Sequence, residues 1–315
     1  MRPDAGMLQM HSAVSSREVR MEATTKNSAV SRELMDWVVP LGPYDCLLNT
    51  VTFWLSRHHA DPNPLYRYNF SINYYAGYDW FDSTVPVNEL FSFIRRAYGV
   101  RLEPCRLDSM VSGRMYLLPV DAHYVPYMKE FYGNGHMLHY VLAEAADDQS
   151  LRVTDPYFKI SLLADRTCVE QAWRTFSEPV MEISPPLSLN PDLNSIRPYL
   201  TTQPYEELVT RTYAQISERI MDVGAYRGAE NLMDNPVFKQ QFGCIRTIAL
   251  SRLRHFGTCS TMDYAHLGSA WRKLEVSFMK MTISLDRGVT ATVNHLKQIA
   301  EDELAYLHSY ATGGR

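Results

Sequence analysis

Apolar residues recur at helical spacing in two places in the first third of the chain. The first run begins at Cys46. The second covers 87–98 and is followed by Gly99, a residue type that ends helices. We therefore expect two amphipathic helices, each with one buried face. Their apolar positions are Leu47, Leu48, Val51, Trp54 and Leu55 in the first helix, and Leu90, Phe91, Ile94 and Ala97 in the second.

Short apolar runs replace this spacing between residues 100 and 185. The runs 115–120, 139–143 and 151–154 predict strands, and the polar turn between the last two predicts an antiparallel hairpin. The preceding segment, 61–82, is rich in tyrosine and contains proline and glycine. It predicts loops and short strands rather than a long helix.

Proline, serine and asparagine are concentrated in 184–204, which predicts a linker. Helical spacing then returns from Pro204, over 236–257, over about 262–285 and over 289–309. The expected fold class is α+β. The expected organisation is a flexible leader over 1–33, an α+β domain over 34–185 and a helical domain over 186–315.

The composition is that of an ordinary globular protein. The chain has 315 residues, of which 46% are hydrophobic and 21% charged, and its net charge is -4. The negative net charge disfavours nucleic acid as a partner. No run approaches the roughly 18 apolar residues of a membrane span, and residues 1–30 lack the apolar stretch of a signal peptide. We therefore expect a cytoplasmic protein that binds neither membrane nor nucleic acid.

The cysteines argue against a disulfide framework. Their number is odd and no two form a C-x-x-C pair, which also disfavours a cysteine-rich zinc site and fits a reducing compartment. The five are Cys46, Cys105, Cys168, Cys244 and Cys259. We expect the last four to be structural thiols.

Cys46 differs from the other cysteines in its position. Asp45 is a good N-cap residue and Pro43 marks the preceding loop, so the thiol lies in the first turn of the predicted helix. Unpaired backbone amides and the positive end of the helix dipole both favour a thiolate there, which is the nucleophilic form. The alternative is that Cys46 is a small apolar residue of the core.

A cysteine nucleophile needs a base, and the base needs an acceptor that orients it. His139 starts one strand of the predicted hairpin and Asp155 ends the other, so we expect the two side chains to lie close across the ladder. His136 is the second candidate for the base. His136, His139 and Asp155 are also an alternative set of metal ligands, although no companion motif accompanies them.

Four segments occur in an order that resembles butirosin-biosynthesis protein H and its relatives. They are Asp45-Cys46-Leu47-Leu48-Asn49, Val120-Asp121-Ala122-His123-Tyr124-Val125-Pro126-Tyr127, His136-Met137-Leu138-His139-Tyr140-Val141 and Val153-Thr154-Asp155-Pro156. The resemblance covers roughly 40–180. It implies that 34–185 is a papain-like catalytic domain, in which the helix that carries the cysteine packs on an antiparallel sheet. It also implies transfer of an acyl group from the phosphopantetheine thioester of a carrier protein to an amine in natural-product biosynthesis.

Carried over residue by residue, the resemblance implies that Cys46 is the nucleophile, His139 the general base and acid, and Asp155 the orienting carboxylate. It implies no cofactor of this protein, because the phosphopantetheine belongs to the donor. Papain-like peptidases place a Gln a few residues before the cysteine as an oxyanion donor, but 36–45 contains none. The Cys46 amide then needs help from a side chain. The candidates for oxyanion and substrate contacts are Asn49, Asp121, His136 and Tyr140.

Three other functions fit the same pattern. A thioesterase or carrier-linked cyclase differs from the acyltransferase only in its acceptor. A cysteine peptidase or amidase uses water as the acceptor, and the missing Gln counts against efficient amide hydrolysis. A non-catalytic binding protein on this fold would not need Cys46. The sequence leaves the acyl group, the acceptor and the oligomeric state open.

Overall fold

The structure, a computed structural model, describes residues 46–75, 80–129, 131–176, 178–226, 231–258 and 264–312. The predicted leader over 1–33, the predicted N-cap Asp45 and the predicted structural thiol Cys259 lie outside the described residues. Within them, the chain has the mixed α+β fold that the sequence predicts.

Helices and strands alternate in the first half of the described chain, and the second half is helical. The helices are α1 (Cys46–Arg57), α2 (Asn63–Tyr68), α3 (Val87–Tyr98), α4 (Arg166–Trp173), α5 (Tyr205–Met221), α6 (Pro236–Gly257), α7 (Ala265–Met279) and α8 (Leu285–Ala311). The strands are β1 (Asn73–Tyr75), β2 (Trp80–Asp82), β3 (Leu102–Cys105), β4 (Met115–Asp121), β5 (Leu138–Ala145), β6 (Ser150–Asp155), β7 (Ile160–Asp165) and β8 (Val180–Ile183).

An antiparallel six-stranded sheet forms the centre of the first half, in the order β3-β8-β4-β5-β6-β7. The predicted hairpin is confirmed, because β5 pairs with β6 and Leu142 lies opposite Thr154. The strands β1 and β2 form a separate two-stranded sheet. Apolar side chains pack on both faces of the large sheet, with α1 and α3 on one face and α4 on the other.

Both helices predicted in the first third are confirmed. The helix α1 begins at Cys46, and its residues are buried as far as Leu55 because the sheet, α3 and neighbouring segments surround it. The helix α3 ends at Tyr98, since Gly99 adopts a left-handed conformation with φ 65°. Only glycine adopts this conformation without strain, and an added Cβ would lie 3.0 Å from the Cβ of Leu187.

The sequence pattern misses the strands β3, β7 and β8 and the helices α2 and α4. The strand β8 pairs with β3 and β4, which lie far earlier in the chain, so no local turn announces it. The helix α4 begins after Asp165, whose carboxylate accepts a hydrogen bond from the Thr167 amide. The helix α2 contains Pro64 in its first turn, where proline is tolerated. Short elements of this kind carry too few residues to show a period.

The helices after the linker are confirmed, with shifted ends. The last helix begins at Leu285, earlier than the predicted 289, and α7 ends at Met279 before a short 3-10 turn, Lys280–Thr282. None of the helices in the described part of the chain combines the length and the apolar character needed to cross a bilayer.

The C-terminal helices share their core with a segment that precedes the large sheet. Phe70, Ile72 and Phe81 are fully buried among apolar side chains of α5, α6, α7 and α8. Residues on both sides of the predicted linker therefore belong to one apolar core. Burial of this kind is the largest favourable contribution to folding.

A buried ion pair connects the same regions. Glu303 and Arg252 are both fully buried, and Glu303 Oε1 accepts hydrogen bonds from Arg252 Nε at 2.6 Å and Trp271 Nε1 at 2.8 Å. Its other oxygen accepts one from the Tyr213 hydroxyl at 2.7 Å. Arg252 Nη2 also donates to the Ser71 carbonyl at 2.9 Å. Each of the helices α5–α8 thus contributes one side chain to this network.

Candidate active site

The helix α1 is fixed to the strand β5 by a buried hydrogen bond. The hydroxyl of Thr50, one turn into the helix, donates to the backbone carbonyl of Tyr140 at 2.9 Å. Leu47 and Leu48 pack with Tyr140 and Leu142 in the same apolar cluster. These contacts hold the first residue of the helix, Cys46, against the beginning of the strand. The thiol is a free cysteine and is buried.

His139 and Asp155 are in direct contact, which confirms the proximity expected from the hairpin. The distance between His139 Nε2 and Asp155 Oδ2 is 2.7 Å, and both side chains are fully buried. Because a carboxylate only accepts hydrogen bonds, Nε2 carries the proton. The other ring nitrogen, Nδ1, makes no hydrogen bond of ordinary geometry within the described part of the chain.

The Cys46 sulfur interacts with the same imidazole. Burial alone lowers the pKa of His139, but the charges of Cys46 and Asp155, and the hydrogen bond to Asp155, outweigh burial and raise the pKa to about 10. Since Asp155 occupies Nε2, the nitrogen that serves the thiol is Nδ1. The raised pKa keeps His139 protonated at neutral pH, so a positively charged imidazole lies beside Cys46.

Asp155 is held by two further donors. Its Oδ2 also accepts a hydrogen bond from the Tyr127 hydroxyl at 2.9 Å, and its Oδ1 accepts one from the Phe158 amide at 3.2 Å. These hydrogen bonds fix the orientation of the buried carboxylate. The rings of Tyr157 and Phe158 approach His139 edge-on at 6.1 and 5.8 Å between centroids.

Asn49 lies one helical turn after Cys46, on the same side of α1, and is fully buried. Neither its amide nitrogen nor its amide oxygen has a hydrogen-bond partner among the described residues. A buried amide without partners is costly, at about 1–3 kcal/mol. Such a side chain is suited to a ligand that supplies the missing partner.

The other three predicted site residues have different surroundings. Asp121 binds His136, with 2.6 Å between Oδ2 and Nδ1, and its Oδ1 accepts the amides of His123 and Met137. Burial raises the pKa of Asp121, but these hydrogen bonds outweigh burial and lower it. His136 is exposed and stacks on His123 at 4.4 Å. Among the described residues, the side-chain hydrogen bonds of Asp121 and His136 do not lead to Cys46, His139 or Asp155. That Asp121 and His136 contact the substrate stays a prediction.

Tyr140 is buried near Cys46. Burial, followed by the charges of Glu178 and Cys46, raises the pKa of its hydroxyl above the ordinary value. The hydroxyl is therefore neutral at physiological pH and can donate a hydrogen bond. Its role in substrate contact stays a prediction.

The metal-site alternative is not favoured by this arrangement. His136 binds Asp121, whereas His139 binds Asp155, so the two histidines serve different carboxylates. Within the described ranges, no three His, Cys, Asp or Glu side chains converge as metal ligands.

Sequence reasoning misses two residues that build this site. Tyr127 lies in a loop, and its only signal is its place in the segment Val125-Pro126-Tyr127. Thr50 has no signal beyond its position one turn after Cys46. Neither residue could be assigned a partner before the hairpin and the helix were placed against each other.

The chemistry of the site is that of a thiol paired with an imidazole that a carboxylate orients. Comparison with known proteins found no family model that matches the chain and no curated protein that matches its sequence.

Proposed function

We propose that the protein is a cysteine-dependent acyltransferase with a papain-like fold, and that it acts in the cytoplasm. The observation that carries the proposal is the hydrogen bond between the buried His139 and the buried Asp155, together with the interaction of His139 with Cys46 at the start of a helix. A structural cysteine needs no such partners. A nucleophile needs both of them.

The reaction follows from these positions. The Cys46 thiolate attacks the carbonyl carbon of the donor thioester, and the resulting oxyanion is held by backbone amides at the start of α1. The tetrahedral intermediate collapses, the bond to the donor sulfur breaks, and His139 gives its proton to the leaving thiol. An amine then attacks the acyl-Cys46 carbonyl while His139 takes a proton from its nitrogen. Collapse of the second intermediate releases an amide and restores the thiolate and imidazolium.

The donor is proposed from the resemblance of the motifs. Proteins similar to butirosin-biosynthesis protein H take the acyl group from phosphopantetheine on a carrier protein, and we propose an acyl or peptidyl carrier protein as the partner here. A thioester is already activated, so the lack of a Gln before Cys46 matters less than it would for an amide. With water or an internal nucleophile as acceptor, the same residues would act as a thioesterase, peptidase or cyclase.

The test is the intact mass of the protein after incubation with a panel of acyl-pantetheine and acyl-carrier thioesters. We expect an increase equal to one acyl group, because the acyl-enzyme is covalent. The adduct should be absent from Cys46→Ala and present in the matched control Cys105→Ala, which removes a partly exposed free thiol. Candidate amines should then discharge the adduct and release an amide.

The outcomes separate the alternatives. An adduct that decays in water as fast as with amines would indicate a thioesterase. Absence of an adduct with every donor, together with iodoacetamide reactivity at Cys46 no greater than at Cys105 or Cys168, would leave a non-catalytic binding protein.

The replacement Asn49→Ala is expected to slow acylation of Cys46 by about 100-fold, the usual effect of losing one oxyanion donor. Stability should not fall, because the change removes two buried polar atoms that have no partner in the described chain. The measurements are the single-turnover acylation rate and denaturant unfolding. Thr52→Val is the matched control, since its buried hydroxyl also lacks a partner there but lies nearly two turns after Cys46 and further around α1 from it than Asn49 does. Equal rates for both variants would remove Asn49 from the oxyanion site.

A further inference from the structure

Asp155 shares one oxygen between two donors. Oδ2 accepts a hydrogen bond from His139 Nε2 at 2.7 Å and another from the Tyr127 hydroxyl at 2.9 Å. The Tyr127 ring is partly exposed and packs against Phe158 at 5.6 Å, while its hydroxyl lies against the fully buried carboxylate. A hydroxyl that is buried in this way keeps its hydrogen bond, because losing it would leave a buried polar group unsatisfied.

We propose that Tyr127 is a positioning residue of the site. It acts through Asp155 and limits how strongly the carboxylate of Asp155 stabilises the protonated form of His139. The proposal rests on the proposed function in taking His139 as the base. It assigns to Tyr127 a role in proton transfer that is separate from the identity of the acyl donor.

The physical argument concerns the charge on one oxygen atom. Each hydrogen bond to a carboxylate oxygen takes up part of its negative charge, so a second donor weakens the hold on the first. Without Tyr127, Oδ2 would attract the imidazolium of His139 more strongly. Asp155 would keep its position, because the Phe158 amide holds Oδ1 and is part of the backbone.

The groups around His139 that titrate or carry charge come from several elements. Cys46 faces the imidazole from α1, Asp155 from the end of β6 and Tyr157 from the turn after β6, while Tyr127 reaches Asp155 from the loop after β4. Burial and the charge of Asp155 raise the pKa of Tyr127 well above its ordinary value. Tyr127 therefore stays a neutral donor throughout the pH range in which His139 loses its proton.

The test is the pH dependence of iodoacetamide alkylation at Cys46 in the full chain with Tyr127→Phe. This rate changes where His139 loses its proton, since a free thiolate and a paired thiolate differ in reactivity. We expect the alkaline inflection to move up by about one pH unit, the size typical of one hydrogen bond to a charged group. Tyr124→Phe is the matched control. Tyr124 and Tyr127 both line a small apolar cavity of about 40 Å³, but Tyr124 packs against His123 and His136.

Two results would overturn the proposal. An unchanged inflection would mean that Tyr127 does not affect the proton of His139. A downward shift would mean that Asp155 loses its position without Tyr127, so that the tyrosine only supports the structure. The alkylation needs no acyl donor, so the result is independent of the mass experiment: a protein that never forms an acyl adduct can still show the upward shift, and a competent acyltransferase can fail to show it.

Discussion

Replacement of Asp155 by asparagine is expected to slow acylation of Cys46 by about 1,000-fold or more, as is typical when the orienting carboxylate of a triad is neutralised. The carboxylate accepts a hydrogen bond from Nε2 of His139 and so leaves Nδ1 to serve the thiol. An amide group can present its NH₂ to Nε2 instead, which favours the tautomer with the proton on the wrong nitrogen. The single-turnover rate with a reactive thioester at pH 7 measures the effect.

The same variant has a defined effect on the pH profile. The charge of Asp155 is one of the causes that raise the pKa of His139 to about 10, so its removal should move the alkaline inflection of Cys46 alkylation to lower pH. Asp147→Asn is the control, because it neutralises an exposed carboxylate in the turn of the same hairpin. An acylation rate within threefold of the unmodified protein would show that His139 works without its carboxylate.

The second large effect concerns stability. The variant Glu303→Gln is expected to lower the free energy of unfolding by about 3–5 kcal/mol, as is typical when one partner of a buried ion pair is removed. The glutamine has one acceptor oxygen in place of two, so it cannot accept all the hydrogen bonds that Arg252, Trp271 and Tyr213 donate to the carboxylate. It would also leave the guanidinium of Arg252 buried without a charged partner. Denaturant unfolding followed by circular dichroism measures the difference.

A control for this variant lies two residues earlier on the same helix. Glu301 is exposed, so Glu301→Gln makes the same chemical change and should alter the free energy of unfolding by less than about 0.5 kcal/mol. A loss below 1 kcal/mol in Glu303→Gln would mean that the network rearranges around the amide.

The sequence predicts those parts of the fold that local spacing determines. The helices α1 and α3 are long enough to show a period, and Gly99 marks the end of the second by its residue type. The hairpin β5–β6 is predicted because its two strands are joined by a short polar turn. The strands β3 and β8 are not predicted, because their partners lie far away along the chain and their few residues show no clear alternation.

The same distinction applies to the site. His139 lies near the start of β5 and Asp155 at the end of β6, so both stand at the open end of one hairpin and their contact follows from the hairpin alone. The contact between Cys46 and His139 joins a helix to a strand much later in the chain, and only the order typical of papain-like enzymes suggests it. Tyr127 could not be predicted as a partner of Asp155, because a loop without a period gives no direction for its side chains.

The predicted domain organisation rests on composition, and composition does not report contacts. The linker is rich in proline and serine, yet Phe70 and Phe81 pack into the core of the helices that follow it. The local pattern groups these residues with their neighbours in sequence, in the first half of the chain. Their partners are side chains more than a hundred positions later, which no window along the chain contains.

This shared core has a consequence for the chain as it leaves the ribosome. Phe70, Ile72 and Phe81 are synthesised long before the helices that cover them, so their apolar side chains are not fully covered until α8 emerges. During that interval the nascent chain offers a surface on which chaperones can bind or other chains can aggregate. A premature stop inside α8 and before Glu303 would remove part of this core, and would leave Arg252 without its carboxylate partner and Phe70 without the ring of Tyr306.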